Sequence, residues 1–279
     1  MPWSPPWFDR RRPAALAMAY NGASAGGVVF LPVWALLIGG LGFAGATLAV
    51  AAATLLVTWP MAGRWFGPTP GSMGLHPDGA GAPPPPRPAA RPPLPLRRQR
   101  AFRSLSMAFA LGLTAQMGLL TTLFSIMVPA LGQEGAGLAM SLTTACAIIG
   151  RTVVGTLLPV GMDRRLVGVL NFLMQAVGTA ILALAAGASA PLLLLGAVLF
   201  GLGIGNLLSL PPLIAQSEWP AEQVAGVVAM VTAVNQAFYA FGPGVFGTLL
   251  EVFGPSAPPV AAGLLQLAAA AVLAAGRRG

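Results

Sequence analysis

Apolar residues in this chain gather in eight runs, near 13–38, 41–62, 103–130, 135–159, 165–187, 191–215, 222–250 and 257–276. Each is long enough to cross a hydrocarbon core as a helix, which takes about 20 residues. The connections between several of them are short and hold Gly, Pro or a charge. This pattern predicts an all-α, polytopic transmembrane helical bundle with about eight membrane-spanning helices. The seventh run is long and carries Gly242-Pro243-Gly244, so a kink or break is expected near its end. Inside a bundle, neighbouring helices can satisfy the backbone groups that such a break frees.

One stretch differs in kind. Residues 63–101 hold eleven of the 27 prolines, including Pro83 to Pro86, together with Arg64, Arg87, Arg91, Arg97, Arg98 and Arg100. Such a segment cannot bury a core and reads as a solvated, partly polyproline-like linker. It divides the chain into a leading pair of helices (1–62), the linker (63–101) and a six-helix region (102–279).

The arginines then orient the molecule. Arg10, Arg11 and Arg12 precede the first run, the linker follows the second, Arg164 and Arg165 lie between the fourth and fifth, and Arg277 and Arg278 follow the eighth. With eight spans these clusters fall on one side. Counting Arg103, fourteen of the fifteen arginines share that side, which the positive-inside rule makes the cytoplasm. Both termini are therefore expected there. The opposite loops carry Glu134 and Glu251 and no arginine.

Composition sharpens the class. Hydrophobic residues make up 56% and charged residues 8%, against about 25% charged in a soluble domain. The expected solvent is the lipid bilayer. The net charge of +8 comes in short clusters between apolar runs, which are topology signals rather than a nucleic-acid face. The absence of lysine beside abundant Ala, Gly and Pro points to a GC-rich bacterial source and so to a bacterial inner membrane. Cys146 is the single cysteine, so no disulfide or thiolate metal site can be assembled within the chain. The single histidine, His76, lies in the linker, and no His/Cys/Asp/Glu cluster suits a metal. No nucleophile has a base at readable spacing. No cofactor, metal or enzymatic activity is expected.

The residue that carries most chemical information is Arg151, within the fourth run. On the predicted span it lies about 13 Å from the cytoplasmic end, near the middle of a ~30 Å core. An arginine at that depth costs about 2.5–3.5 kcal/mol on insertion scales. It therefore faces a wet cavity or a partner. Two readings stay open: its planar fork of donors binds a carboxylate- or phosphate-bearing substrate, or it snorkels to the interface or bonds helix carbonyls. Thr144 lies two turns earlier on the same face. Thr232, Asn235, Gln236 and Tyr239 form a helical stripe in the seventh run, Tyr20 and Ser24 share a face of the first, and Gln116 and Asn206 are single polar residues in the third and sixth. These neutral groups can line a substrate cavity, and interhelical hydrogen bonding explains them equally well. Gly22 and Gly26, and the crowded Gly201, Gly203 and Gly205, let helices approach closely.

Several segments resemble the major facilitator superfamily of transporters, in particular its monocarboxylate and oxalate carrier branch. Trp7-Phe8-Asp9-Arg10-Arg11-Arg12 followed by Asn21-Gly22-Ala23-Ser24-Ala25-Gly26-Gly27 and Pro32 looks like the entrance to that family's fifth helix. Gly74-Leu75-His76-Pro77-Asp78-Gly79 is similar to the start of its central cytoplasmic loop. Gly150-Arg151 with Gly155, then Asp163-Arg164-Arg165, resembles its eighth helix and the gating loop after it, although Gly155 and Asp163 stand eight residues apart where the family has about four. Gly242-Pro243-Gly244, Gly247 and Glu251-Val252-Phe253-Gly254 resemble its eleventh helix and following turn.

The resemblance covers nearly the whole chain and implies that its helices correspond to the family's fifth to twelfth, the first four being absent. It further implies a secondary carrier that moves a small-molecule substrate, with or without a coupling ion, by rocking helix bundles around a central site. Family carboxylate carriers have an Arg matching Arg151 and often an acidic residue one turn earlier, where this chain has Ala147. Asn171 and Gln175 fall in a helix that the family places outside, which implies packing or interfacial roles. The alternative function is a truncated, non-transporting membrane protein with a structural role.

Overall fold

A computed structural model describes residues 7–8, 12–65, 68–79, 95–158, 161–185 and 188–277. Among these, the regular structure is helical: α1 (Arg12–Trp65), α2 (Arg100–Leu157), α3 (Arg164–Ala185), α4 (Ala190–Ile204), α5 (Asn206–Glu218), α6 (Ala221–Tyr239), α7 (Gly242–Phe253) and α8 (Ala257–Ala275). Six stretches of the described residues are long and apolar enough to cross a membrane, with α4 and α5 forming one such stretch and α6 and α7 another. The chain separates into two compact units, one holding residues 2–88 and the other residues 89–279.

The two longest helices are each interrupted by a glycine. α2 has 58 residues, which would reach about 87 Å if straight, nearly three times a ~30 Å core. Gly132 departs from helical geometry with φ 69° and ψ 174°, a region that side-chain-bearing residues avoid. The chain folds back there. Arg165 Nη1 lies 2.8 Å from Ser104 Oγ near the start of α2. Only eight residues separate Arg165 from the end of α2 at Leu157, a reach of roughly 30 Å at most. The helix therefore consists of two arms, 100–131 and 133–157, which meet the third and fourth predicted runs. α1 is interrupted in the same way by Gly42, with φ 69° and ψ 171°, just inside the start of the second predicted run.

Two further breaks lie inside spans. The expected interruption before Gly242-Pro243 falls between Tyr239 and Gly242. A second, milder one is at Gly205 between α4 and α5, where the backbone keeps helical angles, φ -60° and ψ -29°. The sequence reading assigns the glycines around it only to close packing.

Close approach of backbones holds the 89–279 unit together. Lipid is as apolar as leucine, so helices in a bilayer associate by tight packing rather than by hiding apolar surface. Gly150 of α2 sits against the Leu202 carbonyl of α4, and Gly201 of α4 sits against the Thr143 carbonyl of α2. Gly178 of α3 and Gly196 of α4 meet in the same manner. Gly112 and Gly118 of the first α2 arm receive the rings of Phe172 and Phe246. Large apolar side chains such as Leu138, Leu170, Leu184, Phe241, Phe253 and Leu264 are exposed on the outside, as a lipid-facing surface requires.

The 2–88 unit holds α1 and short turns at Gly71–Met73 and Pro77–Gly79. The backbone N–H of Asp78 donates to the Trp7 carbonyl at 2.8 Å. Thr47, Thr54 and Thr58 return their hydroxyl protons to carbonyls one turn back, so these three hydroxyls are satisfied on an exposed apolar surface. The Pro83–Pro86 run lies outside the described residues.

Candidate functional site

The site residues fall into two layers of the 89–279 unit. The outer layer joins the start of α2, the start of α3, the end of α5 and the end of α8. Arg165 is buried at its centre. Its Nε and Nη2 donate to the two carboxylate oxygens of Glu218, at 2.5 and 2.9 Å. The remaining donors reach Ser104 Oγ at 2.8 Å, the Ala101 carbonyl at 2.8 Å and the Leu273 carbonyl at 3.4 Å. Four helix ends are thus tied to one guanidinium, in the bidentate geometry that only arginine offers. A Cβ on Gly276 would collide with both Ser104 Oγ and Arg165 Nη1, so the glycine after α8 makes room for the knot.

Asp163 caps α3. Its Oδ1 accepts the backbone N–H groups of Arg165 at 2.8 Å and Leu166 at 3.2 Å, which answers two of the orphan donors of a helix start. Its Oδ2 accepts Arg277 Nε at 2.7 Å. Partial burial alone would raise the Asp163 pKa. The N–H groups of Leu166 and Arg165 and the Arg277 guanidinium outweigh it, and the carboxyl is held below its ordinary value. Arg164 donates to the Leu213 carbonyl at 2.8 Å. Arg100 donates to the Ala275 carbonyl, and Trp219 Nε1 to Gln99 Oε1, both at 2.6 Å.

The three predicted gating-loop residues therefore share one layer. Glu218, the carboxylate partner of Arg165, was not singled out by sequence. Its signal was faint but present: Glu218 is the one acidic residue at the end of its run on the arginine side, across from an arginine pair.

The inner layer holds Arg151. It is 4% exposed and lies six residues before the end of α2 at Leu157, roughly 9 Å along the axis, somewhat shallower than the predicted 13 Å. Its Nε donates to the Gly205 carbonyl at 2.8 Å, at the break between α4 and α5. Of the two readings for Arg151, this contact is the helix-carbonyl one. A Cβ on Gly205 would stand 2.2 Å from the Ala147 carbonyl and 3.0 Å from Arg151 Nε. The arginine stem and the Gly205 backbone are therefore in direct contact.

Beside this contact runs a buried polar row on one face of α3, formed by Asn171, Gln175 and Thr179. Asn206 Nδ2 donates to Asn171 Oδ1 at 2.9 Å, and Asn171 Nδ2 to the Gly203 carbonyl at 3.2 Å. Gln175 Nε2 approaches Gln116 Oε1 and the Phe200 carbonyl, each at 3.5 Å. Thr179 Oγ1 donates to Gln266 Oε1 at 2.9 Å. Of the packing and interfacial roles expected for Asn171 and Gln175, these contacts are packing ones, made inside the bundle where α3 lies between α4 and α8. Gln266 was missed, being a single polar residue in an otherwise apolar run.

The structure thus brings Arg151, Asn206 and Gln116 into or beside one polar layer. Thr144 is half-buried and bonds its own helix at the Met140 carbonyl, 3.0 Å away. Asn235 is 5% exposed, and its Oδ1 has no hydrogen-bond partner among the described residues. Tyr239, one turn further on, packs against the core. The Arg151–Gly205 contact includes neither of them. The side chain of Tyr20 lies outside the described residues. Among the described residues no group of acidic, histidine or cysteine side chains suits a metal.

Helices of membrane length, an apolar exterior and a buried polar layer define a polytopic integral membrane protein. The family model of the Major Facilitator Superfamily matches residues 1–243, and the chain belongs to that family, whose members are membrane transporters of small solutes. No curated protein matches the chain.

Proposed function

We propose that this chain is a secondary carrier that moves a small organic anion by alternating access, with Arg151 as the anion ligand. The observation that carries this reading is a guanidinium buried to 4% exposure in an apolar bundle, with its Nε on the Gly205 carbonyl. A charge at that place is costly. Asn206 and Gln116 flank the same layer and supply neutral donors and acceptors. Asn235, with its unpartnered oxygen, Thr144, Tyr239 and Tyr20 are proposed to complete the cavity wall. Asp163, Arg164 and Arg165 act as the gate at the arginine end, where release of Glu218 from Arg165 would free four helix ends at once. A coupling ion is compatible with this scheme but is not assigned to any residue.

The test is paired. Uptake of labelled monocarboxylates and dicarboxylates into proteoliposomes is measured beside thermal stability for Arg151→Lys and Arg151→Ala. Loss of uptake in both, with stability retained, is the expected result, because Lys keeps the charge and loses the fork. Normal uptake in both variants would remove the anion reading.

We further propose that the arginine end faces the cytoplasm, in a bacterial inner membrane. Arg100, Arg103, Arg164, Arg165 and Arg277 lie at helix ends that meet in one layer, and cytoplasmic loops are the ones enriched in arginine. With Cys146 replaced, a cysteine at Ser217 should label only from the cytoplasm and one at Glu251 only from outside. The opposite pattern refutes the orientation.

A further inference from the structure

Arginines gather where α2 begins and α8 ends. Arg100 Nη2 donates to the Ala275 carbonyl at 2.6 Å. One membrane-length stretch starts at Arg100 and another finishes at Ala275, so this contact marks the level at which the apolar body of the unit stops. Arg103 lies three residues further along α2, about 4.5 Å inside that level, and is exposed. Its neighbour Ser104 is buried and accepts from Arg165, so Arg103 stands on the outer side of the helix. Just before α2, the turn Leu96–Arg98 carries Arg97 and Arg98, both exposed. That turn is pinned to the unit. Leu96 packs against the core, and Gln99 Oε1 accepts Trp219 Nε1 at 2.6 Å.

Among the described residues, no carboxylate meets these charges. Arg97, Arg98 and Arg103 form no side-chain hydrogen bond or ion pair there, and Arg100 uses one nitrogen on a neutral carbonyl. Asp163 and Glu218, the described carboxylates at this end of the unit, are taken by Arg277 and Arg165. Beyond the arginines the outer surface is apolar. Met107, one turn past Arg103, is 44% exposed, and Val260, Leu264 and Leu267 are exposed along α8. A guanidinium standing a turn inside such a surface reaches back to the interface, where the anion at that depth is the lipid phosphate. Its fork of donors matches two phosphate oxygens.

We propose that the foot of the α2–α8 edge is a binding site for an anionic phospholipid. Its phosphate is held by Arg103 and by the donors of Arg100 that Ala275 leaves open, with Arg97 and Arg98 adding positive potential beside it. An acyl chain lies along the exposed apolar strip of α8. Each arginine near the surface of an anionic membrane strengthens the attraction about fivefold. The site rests neither on the substrate of the carrier nor on which side of the membrane the arginine end faces, since the same contacts form in either leaflet. It also bears on the Arg165 knot. The last turn of α8 presents the Leu273 carbonyl to Arg165 and the Ala275 carbonyl to Arg100, so a lipid that fixes Arg100 steadies the helix end that closes the knot.

Native mass spectrometry of the full chain, titrated with phosphatidylglycerol or with phosphatidylcholine of the same acyl chains, tests the site. The wild type should retain phosphatidylglycerol about tenfold more tightly or better. Arg103→Gln, which breaks no hydrogen bond or ion pair among the described residues, should remove about fivefold of that preference. Arg100→Gln together with Arg103→Gln should bring the two lipids level. Arg64→Gln, in the last turn of α1, lowers the net charge equally and should change nothing. Equal retention of both lipids by the wild type overturns the proposal. So does a loss in Arg64→Gln as large as that in Arg103→Gln, which is the mark of attraction by net charge alone. Inorganic phosphate at millimolar concentration should displace little of the lipid, and complete displacement overturns the lipid assignment in favour of a free-anion site. In nanodiscs the wild type should melt higher in phosphatidylglycerol than in phosphatidylcholine. Arg103→Gln should lose that gap while keeping the wild-type Tm in phosphatidylcholine. A Tm lowered equally in both lipids shows Arg103 to be a packing residue and overturns its role as a ligand.

Discussion

Gly150→Ala offers the most direct test of how α2 and α4 are joined. A Cβ built at Gly150 stands 1.9 Å from the Leu202 carbonyl oxygen and 2.7 Å from its carbon. Ordinary contact begins near 3.4 Å, so 3.4 − 1.9 requires about 1.5 Å of separation. The obstacle is backbone, which cannot rotate out of the way as a side chain can. The helices must part, and the neighbouring contact of Gly201 with the Thr143 carbonyl, 2.7 Å from its own Cβ position, opens with them. Overpacking of this kind typically costs 1–3 kcal/mol. For a unit of this size each kcal/mol lowers Tm by about 2–4 °C, so a fall of roughly 2–12 °C is expected.

Cys146 supplies the assay. It is buried at this interface, with its Cβ 3.0 Å from the position of a Cβ on Gly201. A thiol-reactive fluorophore in detergent therefore reports the moment that α2 and α4 separate. Gly137→Ala is the control, because nothing lies within 4 Å of its Cβ position on the same arm of α2. It should leave Tm unchanged or raised, as Ala is the better helix former by about 1 kcal/mol. A Gly150→Ala melting curve that overlays the wild type would show that these helices do not meet backbone to backbone.

Three further outcomes follow from the contacts. Glu218→Ala leaves the buried Arg165 charge without its carboxylate and should destabilise by about 3 kcal/mol, at the low end for broken buried pairs because Glu218 is partly exposed; the double change Arg165→Met with Glu218→Leu should recover much of this in a thermal melt. Thr179→Val removes the donor to Gln266 Oε1 and should cost about 1–3 kcal/mol, while adding Gln266→Leu should restore stability to near the wild type. The depressed Asp163 pKa means that its cap and its Arg277 pair contribute fully above the ordinary carboxylate range and fade as pH falls through the lowered folded value. Melting of the wild type should therefore drop more than that of Asp163→Asn as the buffer is acidified, and parallel pH profiles would refute the assignment.

The sequence by itself determined the class of this protein and the grain of its helices. Runs of apolar residues with so little charge have one stable solvent, and in that solvent a backbone must satisfy its hydrogen bonds within helices. The turn at Gly132 was legible because Gly and charge interrupt the apolar run there, and the break before Gly242 because Gly and Pro mark it. The arginine side was legible too, because net placement of charge is a property of order along the chain. What only the tertiary structure decided is which polar groups meet. Arg151 could face an anion or a carbonyl on sequence grounds, and its contact with the Gly205 carbonyl depends on the packing of another helix 54 residues away. Glu218 and Gln266 acquire their roles from Arg165 and Thr179, 53 and 87 residues distant. Asn171 and Gln175 turn inward because α3 is enclosed on that face, a fact of helix packing that periodicity along a single span does not contain.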